Sequence, residues 1–360
     1  MRIAFYAPLK PPGHPVPSGD RAMARLLIAA LERAGHAVTL ASDLRAYLPD
    51  PGNAADLARL EAAAARERAR IAALWRREGA PDLWFCYHPY AKSPDLIGPP
   101  LATAFGLPWV SAEASLSTRR DHGLWAETQA RMRPALAAAA VNIGLTARDR
   151  AGLAAQLPGA RLAALAPFLG IDALPPAAPL AGRRIAAVAM MRAGDKMASF
   201  RALAAAMAGL PGETLAVAGD GPLRAEVEAL FPGPVEWHGR LPAEGVAALL
   251  AGAALYLWPG CGEAFGIAYL EAQAAGLPVV AFATAGVPEV VGEGGLLVPE
   301  GDAAALAAAA RRLLDDAGLR WRMGAAGRAQ VAARHLLPAA ATALDRILRD
   351  SLSAARRAAE

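Results

Sequence analysis

The sequence predicts an α/β fold of two lobes, each built on a parallel sheet. Three observations carry that prediction. Short apolar runs alternate with longer helical patterns along nearly the whole chain, which is the signature of β–α–β units. The 360 residues are enough for two domains of ordinary size, each able to bury its own core. Between them the stretch ALAPFLGIDALPPAAPLAG breaks all periodicity with proline and glycine. Residues 1–170 therefore read as the first lobe, 171–181 as a hinge, 182–336 as the second lobe, and 337–360 as a closing helix.

Residues 2–7 form an apolar strand. The loop KPPGHPVPSGD then leads into an amphipathic helix, Arg21 to Ala34, closed by Gly35 and followed by a strand from His36 to Ala41. An Ala/Arg/Glu helix runs from Ala54 to Glu78 and directs Arg59, Arg66, Arg68, Arg70, Arg76 and Arg77 outward. Such a face suits either a solvated surface laced with Glu–Arg pairs or contact with an anionic membrane. After Pro81, strand Leu83–Tyr87 ends at His88, and strand Trp109–Ser111 ends near Glu113. Ligands of open α/β sheets bind beyond the carboxyl ends of strands, so His88 and Glu113 are site candidates. A helix over Leu124–Ala139, a strand over Val141–Leu145 and a helix from Thr146 complete this lobe.

Strand Arg184–Met190 opens the second lobe and is followed by the loop containing Arg192 and Lys196. Strand Thr214–Ala218 runs into GDGPLR, whose Gly219 and Gly221 lack the third glycine of a dinucleotide fingerprint. Strand Val235–Trp237 leads to Gly239 and Arg240, and strand Ala254–Trp258 leads to a glycine-rich loop. Helices over Asp302–Leu314 and Gly318–Arg334, and one after Pro338, end the chain.

Composition narrows the function. The formal charge of +4 is modest and no run of like charge occurs, so nucleic acid is not an expected partner. Of the 37 basic residues only Lys10, Lys92 and Lys196 are lysine, and each follows a strand. Hydrophobic residues make up 55% of the chain, but alanine carries much of that figure and no apolar run reaches the ~18 residues of a membrane span. MRIAFYAPLK reads as a buried first strand and not as a leader, so a cytoplasmic protein is expected, with the Ala54–Glu78 helix as the stretch that would meet a membrane face. Cys86 and Cys261 are isolated, without disulfide or metal spacing.

The stretch from Pro259 to Val291, PGCGEAFGIAYLEAQAAGLPVVAFATAGVPEVV, concentrates the chemistry. Glu263 sits among Gly260, Gly262 and Gly266, where the backbone can approach a ligand, and Phe265, Gly266 and Ile267 open a helix containing Glu271. A helix N-terminus offers unpaired N–H groups and partial positive charge to an anion such as a diphosphate. Two acids at this spacing would by themselves also fit a solvated helix face. Gly262, Glu263, Phe265, Gly266, Glu271, Ala272, Gly276, Pro278, Val279, Gly286 and Glu289 together resemble family 4 of the retaining glycosyltransferases.

The resemblance implies the GT-B architecture: two facing Rossmann-like lobes, a deep interdomain cleft, and a last helix that crosses back to the first lobe. It implies a metal-independent transfer of sugar from a nucleotide-sugar donor to a hydroxyl acceptor, with no cofactor. Arg192 and Lys196 match the pair directed at the donor diphosphate, Glu263 would orient the donor sugar, and Glu271 would accept the ribose hydroxyls. His88 joins this catalytic set as a strand-end histidine. Gly19, Gly219, Gly239, Arg240, Phe265, Gly266 and Ile267 fall at donor-binding positions, and Lys10, Lys92 and Glu113 at acceptor-binding ones. Where the family shows two adjacent glycines before the first helix, this chain has Gly19 followed by Asp20. A sugar-nucleotide epimerase or hydrolase of the same fold, and a two-lobed solute-binding protein, are the rival readings.

Overall fold

The computed structural model describes residues 1–16 and 18–357; Pro17 and residues 358–360, the end of the expected closing helix, lie outside them. The chain divides into two compact units, Met1–Ala166 with the segment from Leu337 onward, and Pro167–Leu336.

The first unit runs β1 (Arg2–Tyr6), α1 (Gly19–Arg33), β2 (Ala37–Leu40), α2 (Ala54–Glu78), β3 (Leu83–Tyr87), α3 (Gly98–Phe105), β4 (Trp109–Ala112), α4 (Gly123–Ala138), β5 (Val141–Gly144), α5 (Ala147–Gln156) and β6 (Leu162–Ala164). Its six strands pair in parallel in the order β2-β1-β3-β4-β5-β6. The chain reverses its lateral direction between β1 and β3, which makes the carboxyl ends of those strands the topological switch point. All five residues of β3, Leu-Trp-Phe-Cys-Tyr, are buried, as expected for a strand covered on both faces.

Helix α3 and strand β6 were not legible in the sequence. The Pro99-Pro100 pair reads as a breaker, yet it occupies the first turn of α3, where a missing N–H costs nothing. Buried Asp95 organises that start. Its Oδ1 accepts from Ile97 N at 3.0 Å and Gly98 N at 2.7 Å, and its Oδ2 accepts from Trp84 Nε1 at 2.9 Å and Trp109 Nε1 at 3.1 Å.

Most of the arginines that α2 turns outward have partners within the protein. Arg59 pairs with Asp56, Arg70 with Glu67 and Arg77 with Glu78, while Arg68 donates to Leu96 O. Among the described residues no helix is long and apolar enough to cross a membrane.

The second unit runs β7 (Ile185–Val188), α6 (Asp195–Ala208), β8 (Leu215–Ala218), α7 (Arg224–Glu228), β9 (Val235–Gly239), α8 (Ala243–Ala251), β10 (Leu255–Leu257), α9 (Ile267–Ala274), β11 (Val279–Phe282), α10 (Val287–Val291), β12 (Gly295–Val298), α11 (Ala303–Asp315) and α12 (Ala317–Arg334). Its parallel order is β12-β11-β10-β7-β8-β9, with the reversal between β7 and β10. Helix α11 buries Leu306, Ala307, Ala310, Leu313 and Leu314, one face at helical spacing. Asp302 and Asp316 cap α11 and α12 by accepting from Ala305 N and Leu319 N, each at 2.8 Å.

Residues 171–181, read from the sequence as a hinge, are bound into the second unit. Leu169 N donates to His335 O at 2.8 Å and Ala178 N to Ala275 O at 2.7 Å. Arg328 donates to both Pro175 O and Ala274 O, and so joins the segment to the end of α9. Proline removes N–H groups but leaves carbonyls, and a guanidinium collects them. The chain then returns to the first unit as α13 (Leu337–Arg357), which packs on α1. Buried His36 anchors it, with Nε2 3.1 Å from Asp345 Oδ1.

Candidate functional site

Each unit gathers chemically active side chains at the switch point of its own sheet. In the second unit the loops after β7 and β10 meet there. The loop after β10 is wound around Tyr269, whose hydroxyl donates to Trp258 O at 3.1 Å. A Cβ on Gly260 would stand 2.1 Å from that hydroxyl, and one on Gly266 2.6 Å from the Tyr269 ring. Both residues also have positive φ, 75° and 74°, so glycine is required twice over. The loop so held presents Glu263 to Lys196 in the first turn of α6, and the two form an ion pair. Lys196 Nζ also lies 5.4 Å over the Trp258 ring. Phe265 is half-buried, Gly266 is the N-cap of α9 and Ile267 its first residue. Arg192 is exposed and makes no ion pair among the described residues.

Glu271 is one turn further along α9 and lines a cavity of about 570 Å³ whose other walls include Ile171, Val246, Leu250 and Ala274. Among the described residues its carboxyl has no hydrogen-bond or ion-pair partner, and burial pushes it up to about 7. The two glutamates do not touch, but both act on the charge of the buried Tyr256 hydroxyl, which places that hydroxyl near each.

Gly219 and Gly239 hold each other. Gly219 N donates to Gly239 O at 2.7 Å, and a Cβ on Gly219 would fall 1.7 Å from Ala189 O. Gly221 is set the same way, 2.1 Å from Met191 O. The Gly-Asp-Gly sequence therefore lets the end of β8 cross the end of β7. Arg240 beside it is exposed.

In the first unit, β3 and β4 end alike. His88 N continues the ladder to Ala112 O at 2.7 Å and Glu113 N to Ile143 O at 2.8 Å, after which both residues turn left-handed at φ 57° and 58°. Such conformations cost about 1–3 kcal/mol each in non-glycine residues and concentrate at functional sites. His88 Nδ1 lies 3.0 Å from Asp20 Oδ1, and its ring stacks on Tyr90 at 5.0 Å. Burial raises the Asp20 carboxyl, but the hydrogen bond and charge of His88, with Lys10 nearby, outweigh it and hold the group below its usual range. Glu113 Oε1 accepts from Leu145 N at 2.7 Å, and burial pushes its carboxyl up to about 7.

Ser18, not Asp20, caps α1, accepting from Arg21 N at 3.2 Å, and Gly19 is the first helical residue. Asp20 is thereby free to reach His88, a role that its sequence position does not reveal. Lys92 Nζ lies 4.2 Å over the Trp125 ring. Sequence reasoning also missed Trp258, Tyr269 and Tyr90. The spacing of Gly260 and Gly266 was the available signal, since two glycines around an aromatic residue imply a close approach. No cluster of three metal-ligating side chains occurs among the described residues.

Residues 182–316 match the family described as Glycosyl transferases group 1. Sulfoquinovosyl transferase SQD2 of Arabidopsis thaliana is 33% identical over 136 residues, 36% of this chain and 27% of that protein. The chain thus aligns with about a quarter of the length of such curated relatives. Among solved structures, sucrose-phosphate synthase from Thermosynechococcus elongatus covers 98% of this chain and 100% of its own at a TM-score of 0.77 and 22% identity. Anabaena HepE in complex with UDP-glucose covers 98% of this chain and 100% of its own at a TM-score of 0.70 and 17% identity. The chain therefore has the two-lobed GT-B fold, and its residues 182–316 are a domain of the Glycosyl transferases group 1 family.

Proposed function

We propose that this chain is a retaining, metal-independent family 4 glycosyltransferase that moves a sugar from a nucleoside-diphosphate sugar to a hydroxyl acceptor. The observation that carries this reading is the Lys196–Glu263 pair beside the N-terminus of α9, at the switch point of the second sheet. In the free protein Glu263 neutralises Lys196. A bound diphosphate would compete for the lysine, leaving Glu263 to take the hydroxyls of the donor sugar. Lys196, Arg192 and the first N–H groups of α9 would then stabilise charge growing on the leaving phosphate. The acceptor oxygen bonds to the anomeric carbon on the face from which the diphosphate departs, the bond to the phosphate oxygen breaks, and that phosphate takes the acceptor proton. His88 with Asp20, and Glu113, would orient the acceptor in the first unit.

The UDP-glucose complex of HepE makes UDP-sugars the first donors to try. A donor at 100 times its Kd adds about 2.7 kcal/mol of apparent stability, so a thermal-shift panel of nucleotide sugars tests the reading. No shift with any donor refutes it. Turnover of donor without an acceptor would transfer the assignment to an epimerase or hydrolase. Product formation should persist in EDTA, and complete loss restored by magnesium or manganese would refute the metal-independent mechanism.

Glu271 makes donor binding pH-dependent. If the ionised carboxylate accepts the ribose hydroxyls, a carboxyl titrating at about 7 must first lose its proton. Affinity should therefore rise about 10-fold from pH 6 to pH 8 and level off above that. Glu271→Gln should flatten the profile and weaken binding by about 1.5–3 kcal/mol. Titration calorimetry in two buffers of different ionisation enthalpy, showing no proton release at pH 6, would exclude this role.

A further inference from the structure

A buried hydroxyl stands at the switch point of the second sheet. All of β7, from Ile185 to Val188, pairs with β8, but among the described residues only Ile185 and Ala186 pair with β10. In the first unit the strands at the switch point, β1 and β3, pair from Ile3–Leu83 up to Tyr6–Cys86. The backbone of Val188 is therefore left without a ladder partner on the β10 side, and buried polar backbone groups need one. The side chain of Tyr256, from the middle of β10, supplies it. Its hydroxyl accepts from Val188 N and donates to Val188 O, each at 3.3 Å.

That hydroxyl, near enough to Glu263 and Glu271 to feel their charge, joins the loops after β7 and β10 at their base. Val188 leads into the loop with Arg192 and Lys196, which is held on the β8 side by Ala189 N to Ala218 O and Met191 N to Asp220 O, each at 3.0 Å. Toward the other loop, the Tyr256 ring meets the Tyr269 ring edge-on at 5.9 Å, and the loop with Glu263 is wound around Tyr269. Farther out, Cys261 N donates to Ser199 Oγ of α6 at 2.9 Å. Both rings are fully buried, and a close-packed interior leaves no void into which such a T-shaped pair can turn, so it acts as a rigid spacer.

We propose that Tyr256 is a positioning residue, whose hydroxyl sets the separation of the loops after β7 and β10 and thereby aligns Lys196 and Glu263 with the donor. This rests on the assignment of those two residues to the donor site. The hydroxyl acts through Val188 and Tyr269, not on the donor itself. Its removal leaves a buried N–H and C=O unpaired, and the end of β7 must shift to recover partners for them. A misplacement of about 1 Å that originates away from the chemistry can cost about 10²-fold in rate.

The test compares Tyr256→Phe with Tyr6→Phe in the full chain, both assayed well below their melting temperatures. The Tyr6 hydroxyl is the control because it too belongs to a fully buried residue and donates to a backbone carbonyl, Leu44 O at 2.8 Å, in the first unit. Tyr256→Phe should lower kcat for transfer from a nucleotide sugar about 10–100-fold while changing the donor KM less than about 3-fold, whereas Tyr6→Phe should lower only the melting temperature. In a double-mutant cycle with Lys196→Ala most of the Tyr256→Phe effect should vanish, because Tyr256 acts through the lysine. A readout independent of turnover comes from Lys196 itself, one of three lysines in the chain, whose Nζ lies 5.4 Å over the Trp258 ring. Its ε-methylene NMR signal, shifted by that ring, should move in Tyr256→Phe and stay in place in Tyr6→Phe. Wild-type kcat in Tyr256→Phe, a change in KM alone, additive effects in the cycle, or an unmoved Lys196 signal would each overturn the inference. A moved signal in a protein that neither binds nor turns over any nucleotide sugar sinks the function beneath it and leaves the role of the hydroxyl standing.

Discussion

Lys196→Ala is expected to lower kcat by roughly 10²–10³ while changing the donor KM little, the cost of removing one preorganised donor from a developing anion. Lys196 is suited to that task by where it stands. It lies in the first turn of α6, which follows β7, its Nζ faces the Trp258 ring, and its side chain is only 19% exposed. A cation in such a place is poorly screened, so its attraction to the leaving diphosphate grows strongly as the glycosidic bond stretches. Arg192→Ala should lower kcat in the same sense but less, because Arg192 is exposed and water screens it. The alanine substitution also leaves Glu263 without its cation, so folding must be checked by circular dichroism. Steady-state kinetics decide the matter. A near wild-type kcat in Lys196→Ala removes the lysine from the mechanism, and a pure KM effect reassigns it to uniform binding.

Asp95→Ala should destabilise the first unit by about 3–5 kcal/mol, the range for removing one partner of a buried charged network. Four donors converge on this carboxylate: two indole N–H groups from β3 and β4 and two backbone N–H groups at the start of α3. Asp95 is 5% exposed, so water cannot readily replace it. Without it those buried donors are unsatisfied, each at a desolvation cost of about 1–3 kcal/mol that local relaxation only partly recovers. At about 2–4 °C per kcal/mol for a unit of this size, the melting transition should fall by about 10 °C. Urea and thermal melts check it, and a shift of only a degree or two would mean that α3 finds other caps. Asp95→Asn should be milder, since an amide oxygen still accepts two of the four bonds.

The elements that the sequence revealed were those whose pattern is enforced by burial, on both faces of β3 and along one face of α2. Leu83–Tyr87 and Ala54–Glu78 were read with the boundaries observed. The elements it hid are those where a local signal means two things. Pro99-Pro100 starts α3 where it appeared to break a helix, and Leu162–Ala164 is a strand whose three residues are only partly buried or exposed. Likewise the stretch around Pro175 and Pro176 suggested a hinge, although Pro175 O is held by Arg328 from α12, more than 150 residues later in the chain.

The residue types at the sites were legible from the sequence: Glu263 among glycines, Glu271 in the following helix, Lys196 after a strand, and His88 and Glu113 at strand ends. Their order along a β–α repeat dictates which end of a sheet each one reaches, because parallel strands deliver every such loop to the same edge. Pairing was decided only by the tertiary structure. Lys196 meets Glu263 across 67 residues, and Asp20 meets His88 across 68. Tyr269 determines the path of the loop by filling the space that two glycines leave; burial moves Glu271 to about 7, and burial moves Glu113 to about 7 against the opposing hydrogen bond from Leu145 N. Spacing along a chain is a one-dimensional property. Desolvation and charge pairing depend on which atoms fill the few ångströms around a group, and the strand order that brings them there is set by the packing of the whole unit.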